Sequence, residues 1–268
     1  MQAAHDENAF CFVTVARLEW EKFGSKSMAA VAREYFSLNK GDHVRLHLDH
    51  IPVIDEDNLQ VPYLDLIKEA IDLGYQSVMV DGSRLSFEEN VKATRAVTDI
   101  AHKADIPVEA ELGAVMGHEA NPTMGYEEIL AARTGFTEPE EARRFVKESS
   151  CDWLSVAFGN IHGAVSEATR HEKKVAARLD TAHLKTITDA AGIPLVLHGG
   201  SGIPQSYILD AIQNGIAKIN IGTEVRQVYE QNLERTGSTS EAQKHVYERT
   251  ASMLRDFFKL SGKKQLLV

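Results

Sequence analysis

Three histidines, His50, His162 and His198, each stand just past a different short apolar run. They lie in His47-Leu48-Asp49-His50, Gly159-Asn160-Ile161-His162-Gly163 and Leu197-His198-Gly199-Gly200-Ser201-Gly202. Imidazole nitrogens are common zinc donors, and three of them with one open position make a catalytic metal site. Far apart in the chain, they can act together only if the elements carrying them share one rim. Two glycine-rich turns, Gly199–Gly202 and Gly222-Thr223, each lead into a helical pattern. Backbone N–H groups in such turns, unobstructed by a Cβ and backed by a helix N-terminus, can hold phosphate. Further polar ends are Val80-Asp81-Gly82-Ser83, Glu109-Ala110-Glu111-Leu112-Gly113 and Ile219-Asn220-Ile221-Gly222-Thr223. His47 should point away from the rim relative to Leu48, and it stays outside the donor set. His5, His43, His102, His171, His183 and His245 fall in helices or linkers and read as surface residues.

The elements that must position these groups are apolar runs at Phe10–Val15, Val44–Leu48, Ser77–Val80, Val108–Glu111, Trp153–Phe158, Leu195–Leu197 and Lys218–Ile221. Most are continuous rather than alternating, as strands buried on both faces are. Helical patterns such as Tyr63–Leu73 and Phe87–Ala104 lie between them, and Gly74, Gly192 and Gly215 mark helix stops just ahead of strands. Regular β-α alternation predicts a parallel sheet, most simply a (β/α)8 TIM barrel over residues 1–268 as a single domain. The count reaches seven strands, and the residues before Phe10 are too few for another strand and helix. Two strand-to-helix connections, Leu112 to Thr137 and Gly159 to about Asp180, are long enough to be candidate lids. The stretch Glu224–Phe258 reads as two helices around Gly237-Ser238, one closing the barrel and one projecting outward.

The 268 residues carry 29 Lys+Arg against 39 Asp+Glu, a net charge of −10 that argues against sequence-independent nucleic-acid binding. No apolar run is long enough to span a membrane, and residues 1–8 show no secretory signal pattern. Cys11 and Cys151 sit in apolar runs as reduced thiols would, which favours a cytoplasmic location.

Taken together, the six motifs and their order resemble the class II (zinc-dependent) ketose-bisphosphate aldolases, the fructose- and tagatose-bisphosphate aldolase-like family, from about Phe10 to Arg226. The resemblance implies zinc on His50, His162 and His198, with Glu111 beside the metal or as an alternative ligand. It makes Asp49 the catalytic residue that moves the proton of the hydroxyl next to the cleaved bond, and Glu119 the loop residue serving the carbon that becomes nucleophilic. Gly163, Gly199, Ser201, Asn220, Gly222 and Thr223 would hold the ketose end and its phosphate, and carbonyls near Gly163 and Gly199 a monovalent cation (Na+ or K+). The activity implied is reversible cleavage of a phosphorylated ketose to dihydroxyacetone phosphate and an aldehyde through a metal-stabilised enediolate, within carbohydrate metabolism and glycolysis. A homodimer or homotetramer is implied as well. Zinc acting as Lewis acid removes the need for a Schiff-base lysine, and no strand shows a candidate Lys at its carboxyl end.

Four features depart from the family pattern. Its first strand and helix are missing; Ala16 replaces a Ser; Ala164-Val165-Ser166 replaces Tyr-Lys-Gly after Gly163; and a C-terminal Asp-Pro-Arg is absent. Gly222 also stands where fructose-specific members tend to carry Asp and tagatose-specific ones Ala. One phosphate is thus better supported than two, with Arg17 and Arg170 as candidate substitutes at the far end. Two rival readings remain open here: a metal-dependent barrel hydrolase and a catalytically impaired sugar-phosphate binder.

Overall fold

The computed structural model describes residues 1–39, 41–113, 126–160 and 177–266. The expectations placed on Glu119, His162, Gly163, Arg170 and His171 lie outside these. Seven strands form one sheet: β1 (Cys11–Ala16), β2 (Val44–Pro52), β3 (Ser77–Asp81), β4 (Val108–Leu112), β5 (Trp153–Val156), β6 (Leu195–Leu197) and β7 (Ile216–Ile219). Every pairing is parallel and the sheet order equals the chain order. The expected runs match these strands to within two residues at most ends. The sheet curls on itself: Phe12 on β1 lies 5.6 Å from the Trp153 ring on β5, and His47 on β2 lies 6.0 Å from it. The result is a TIM-barrel-like half-barrel. The eighth strand of the expected (β/α)8 barrel is not among the described residues, and β1 and β7 are the two sheet edges.

The helices are α1 (Gln2–Asp6), α2 (Arg17–Lys22), α3 (Met28–Leu38), α4 (Tyr63–Asp72), α5 (Phe87–Ala101), α6 (Tyr126–Ala132), α7 (Pro139–Ser149), α8 (Thr181–Ala191), α9 (Gln205–Gln213), α10 (Thr223–Thr236) and α11 (Thr239–Ser252). Their starts are set locally. Ser27 accepts the Ala30 N–H, Asp180 accepts the His183 N–H, and Glu89 reaches back to the Ser86 N–H. Gly74, Gly192 and Gly215 all take positive φ, at 85°, 66° and 116°, as stops ahead of β3, β6 and β7. Gly237, at φ 66°, separates α10 from α11. Rather than projecting outward, α11 packs along α10 and α1, and Tyr247 and Arg255 bind Asp6 and Glu7.

Apolar packing falls into two clusters. One joins β1–β3 to α1, α3 and α4 through residues such as Leu46, Leu48, Ile67 and Tyr35. The other joins β4–β6 to α7, α8 and α9 through Phe145, Leu154, Leu184 and Ile208. Both lie between sheet and helices. That leaves the inner face of the curl to polar side chains, among them His47, Asp49, Glu109, Glu111 and His198. No helix among the described residues is long and apolar enough to cross a membrane.

Candidate active site

Successive strand residues normally face opposite sides, so Asp49 and His50 should not share a site. A bulge resolves this. β2 pairs Leu48 with Val78 and then Ile51 with Val80, so it carries one residue more than β3 over that step. His50 absorbs the extra residue with a positive φ of 36°. Both side chains then reach the interior.

His50 Nε2 approaches His198 Nδ1 to 2.6 Å across the curl, and Glu111 Oε2 stands 3.9 Å and 3.6 Å from the same two nitrogens. The three donor atoms lie within 4.8 Å of one another, a spacing that suits a single metal ion. The other nitrogen of each ring is held by a carboxylate: His50 Nδ1 lies 3.3 Å from Asp81 and His198 Nε2 lies 2.8 Å from Glu109. Such partners orient a metal-binding imidazole and fix which nitrogen faces inward. The donor set therefore fits a divalent metal with nitrogen preference.

Charge shapes the group. Burial works against a charged His50, but the Asp81 hydrogen bond and the Glu111 and Asp49 carboxylates raise it to about 10. Burial and the neighbouring His50 push His198 down. Burial, with Asp81 next in importance, raises Glu111 well above the usual carboxylate range. For Asp81, burial is outweighed by His50, which holds the carboxyl below its ordinary value.

A second buried group sits beneath. His47, Asp49 and Glu109 also converge, but there the cation is already a side chain: Lys218 Nζ lies 2.8 Å from Glu109 Oε2 and 3.9 Å from Asp49 Oδ1. His47 Nδ1 lies 2.8 Å from Ser77 Oγ, while its Nε2 lies 3.6 Å from Asp49 and 3.5 Å from Glu109. Asn220 Nδ2 donates to both Asp49 oxygens at 3.1 and 3.0 Å. Burial opposes the Asp49 charge, yet the Lys218 ammonium and the surrounding histidines hold its carboxyl well below the usual range. The same Lys218, with His198, brings Glu109 to about 2 against burial.

The two glycine-rich turns lie side by side. The Gly200 N–H donates to Asn220 O at 3.1 Å, and the Glu224 N–H at the start of α10 lies 3.5 Å from Ser201 Oγ. Gly199, Ser201, Gly222 and Thr223 thus flank one helix N-terminus, which can hold an anion. At Gly200 a Cβ would fall 2.6 Å from Ile219 Cγ2, so the turn needs glycine there.

Of the expected site residues, Asp49, His50, Glu111, His198 and Asn220 come together. Three expectations change. His47 lies on the same inner face as Asp49 two residues on, not turned away from the site. His183 is buried rather than at the surface, its Nε2 2.9 Å from Thr137 O. Near its strand end, β7 does carry a lysine, Lys218. Arg17 is tied to Asp55 at 3.3 Å and so is already engaged. Glu19, in the first turn of α2, was not anticipated; burial and Asp49 raise it to about 7. The period-two pairs His47/Asp49, Glu109/Glu111 and Lys218/Asn220 were a usable signal for the deeper layer.

Comparison with known proteins places the chain among relatives. A 164-residue stretch is 43% identical to the uncharacterized protein YdjI of Escherichia coli K12, covering 61% of this chain and 54% of that protein, about half its length. The crystal structure of the YdjI aldolase from the same organism superposes with a TM-score of 0.75 at 28% identity, over 98% of this chain and 86% of the other. A candidate fructose-1,6-biphosphate aldolase from Coccidioides immitis gives 0.75 at 25% identity, over 99% and 88%. The Fructose-bisphosphate aldolase class-II family pattern matches residues 1–264. With that match over nearly its whole length, the chain belongs to the class II fructose-bisphosphate aldolase family.

Proposed function

We propose that this protein is a zinc-dependent aldolase that reversibly cleaves a phosphorylated ketose to dihydroxyacetone phosphate and an aldehyde. The observation carrying this reading is the convergence of His50, His198 and Glu111 donor atoms beside a buried Asp49 whose carboxyl Lys218 and the histidines hold low. His50 and His198 would hold the metal, joined by His162, with Glu111 beside it or as an alternative donor. Bound there, zinc supplies Lewis-acid polarisation of the ketose carbonyl.

The side chains do the rest. Asp49 accepts the proton of the hydroxyl next to the bond to be broken. The O–H electron pair becomes the aldehyde C=O, and the carbon–carbon bond breaks with its pair passing to the carbon beside the carbonyl. Glu119 delivers a proton to that carbon, completing dihydroxyacetone phosphate. Gly163, Gly199, Ser201, Asn220, Gly222 and Thr223 hold the ketose end and its phosphate, Asn220 also orients Asp49, and carbonyls near Gly163 and Gly199 accept Na+ or K+. Residues 1–268 act as one aldolase-type domain in the cytoplasm. The protein assembles as a homodimer or homotetramer whose partner chain covers the side between β1 and β7; a monomer by sedimentation equilibrium would refute that assembly.

The deciding experiment is turnover of zinc-loaded protein against ketose mono- and bisphosphates, coupled to detection of dihydroxyacetone phosphate. Product that chelator abolishes and zinc restores is expected. Phosphate-ester hydrolysis instead would favour the hydrolase reading, and binding without turnover the sugar-phosphate binder.

A further inference from the structure

We propose that Lys218 is a positioning residue of this site, setting the orientation of the Asn220 amide and, through it, of the Asp49 carboxylate. The inference rests on Asp49 being the base of the aldol reaction. Lys218 is the third of four residues in β7, with its side chain only 10% exposed. Side chains two apart on a strand share a face, so Lys218 and Asn220 enter the interior together. Lys218 Nζ donates to Asn220 Oδ1 at 2.8 Å, and Asn220 Nδ2 in turn donates to Asp49 Oδ1 and Oδ2 at 3.1 and 3.0 Å.

An asparagine amide has two ends of nearly equal shape and opposite hydrogen-bonding sense. Facing the acceptor-only Asp49 carboxylate with its Nδ2 end, the amide is left with an oxygen that needs a donor of its own. Lys218 supplies that donor and locks the amide in this sense, because an ammonium has three donors and no acceptor. Flipped, the amide would set its N–H groups against the ammonium and its oxygen against both Asp49 oxygens, two repulsive contacts in a buried space. In the observed sense each group donates to the next, from Lys218 to Asn220 to Asp49. Lys218 also pairs with Glu109 Oε2 at 2.8 Å and lies 3.9 Å from Asp49 Oδ1, so the same ammonium balances the buried carboxylates while it holds the amide. The contact through which Lys218 reaches the orientation of Asp49 is the one to Asn220.

The test compares Lys218→Met with the wild-type protein, both zinc-loaded, on whichever ketose phosphate the wild type turns over best. A misaligned reacting group costs on the order of 100-fold. Lys218→Met is expected to lower kcat by about that factor, with KM and zinc content within about twofold. Because Lys218 acts through Asn220, the loss should vanish in an Asn220→Ala background. Lys218→Arg, which keeps a cationic donor, should recover part of kcat and serves if the Met variant does not fold. An unchanged kcat, an equal loss in the Asn220→Ala background, or a borohydride-trapped substrate adduct on Lys218 would overturn the proposal. A second readout needs no turnover: the Asn220 side-chain amide signal in nitrogen-15 NMR, identified by its loss in Asn220→Asp. It should shift and exchange faster in Lys218→Met, and an unmoved signal refutes the orienting role. If no ketose phosphate is cleaved by the wild type, the aldolase reading fails while the amide signal still decides this one.

Discussion

In the proposed mechanism the chain neighbours Asp49 and His50 have opposite tasks, one kept as a charged base and the other required to give up a proton before it can bind metal. Asp49→Ala should lower kcat by two or more orders of magnitude while metal analysis still finds zinc bound. His50 gives a pH prediction. Its imidazole stands at about 10 in the metal-free fold, above the ordinary 6.5. A raised folded value means that its contribution to metal-free stability is complete below about 6.5 and disappears as pH climbs towards 10. Asp81, held low by the same pair, loses its own contribution only as pH falls below the ordinary carboxylate range. Metal competes for the His50 lone pair, so binding near neutral pH should release at least one proton per ion and tighten as pH rises. Calorimetry in buffers of different ionisation heat reads this directly, and uptake without proton release would contradict it. The sequence disclosed the outer polar layer because Asp49, Glu111, His198 and Asn220 stand at strand ends. It concealed how Asp49 and His50 share a face, since a one-residue bulge leaves no mark in residue type.

At the level of strands and helices, two glycines hold the site by leaving room. A Cβ on Gly82, just after β3, would lie 2.2 Å from Asn90 Oδ1 and 2.7 Å from its Cγ. Asn90, on α5, donates from Nδ2 to Glu111 O at 2.9 Å, so Gly82→Ala would press on the segment that presents Glu111. Overpacking of this kind costs about 1–3 kcal/mol. Gly82→Ala is expected to lower the denaturation midpoint and weaken metal binding together. Gly200→Ala, against Ile219, should weaken phosphate-bearing ligands while leaving zinc content intact; equal loss of both would show that the two turns are not separable. The strands themselves were legible because unbroken apolar runs ended by glycine stops have few other solutions. The course of α11 was not, because a surface helix with a weak apolar stripe does not declare which neighbour it lies against.

Seen as a whole, the molecule puts its oil between sheet and helices and its charge inside the curl. A metal held by His50 and His198 would tie β2 to the end of β6 across that charged interior. Ligand present at about a thousand times its dissociation constant adds about 4 kcal/mol of stability. For a chain of this size that is roughly 10 °C in Tm. Thermal unfolding with zinc and with chelator should differ by that order, and coincident curves would argue that no metal joins these strands. The half-barrel was foreshadowed by the count of seven strands, whereas its curl depends on contacts such as Phe12 with Trp153 that no local pattern encodes. Sheet order carries one more consequence, for biosynthesis. Because every strand pairs with the strand next to it in the chain, the sheet can be laid down in the order in which the ribosome delivers it. The chemistry cannot. His50 emerges early, Glu111 midway, and His198 and Asn220 much later, so a nascent chain can build most of its scaffold long before these side chains can meet.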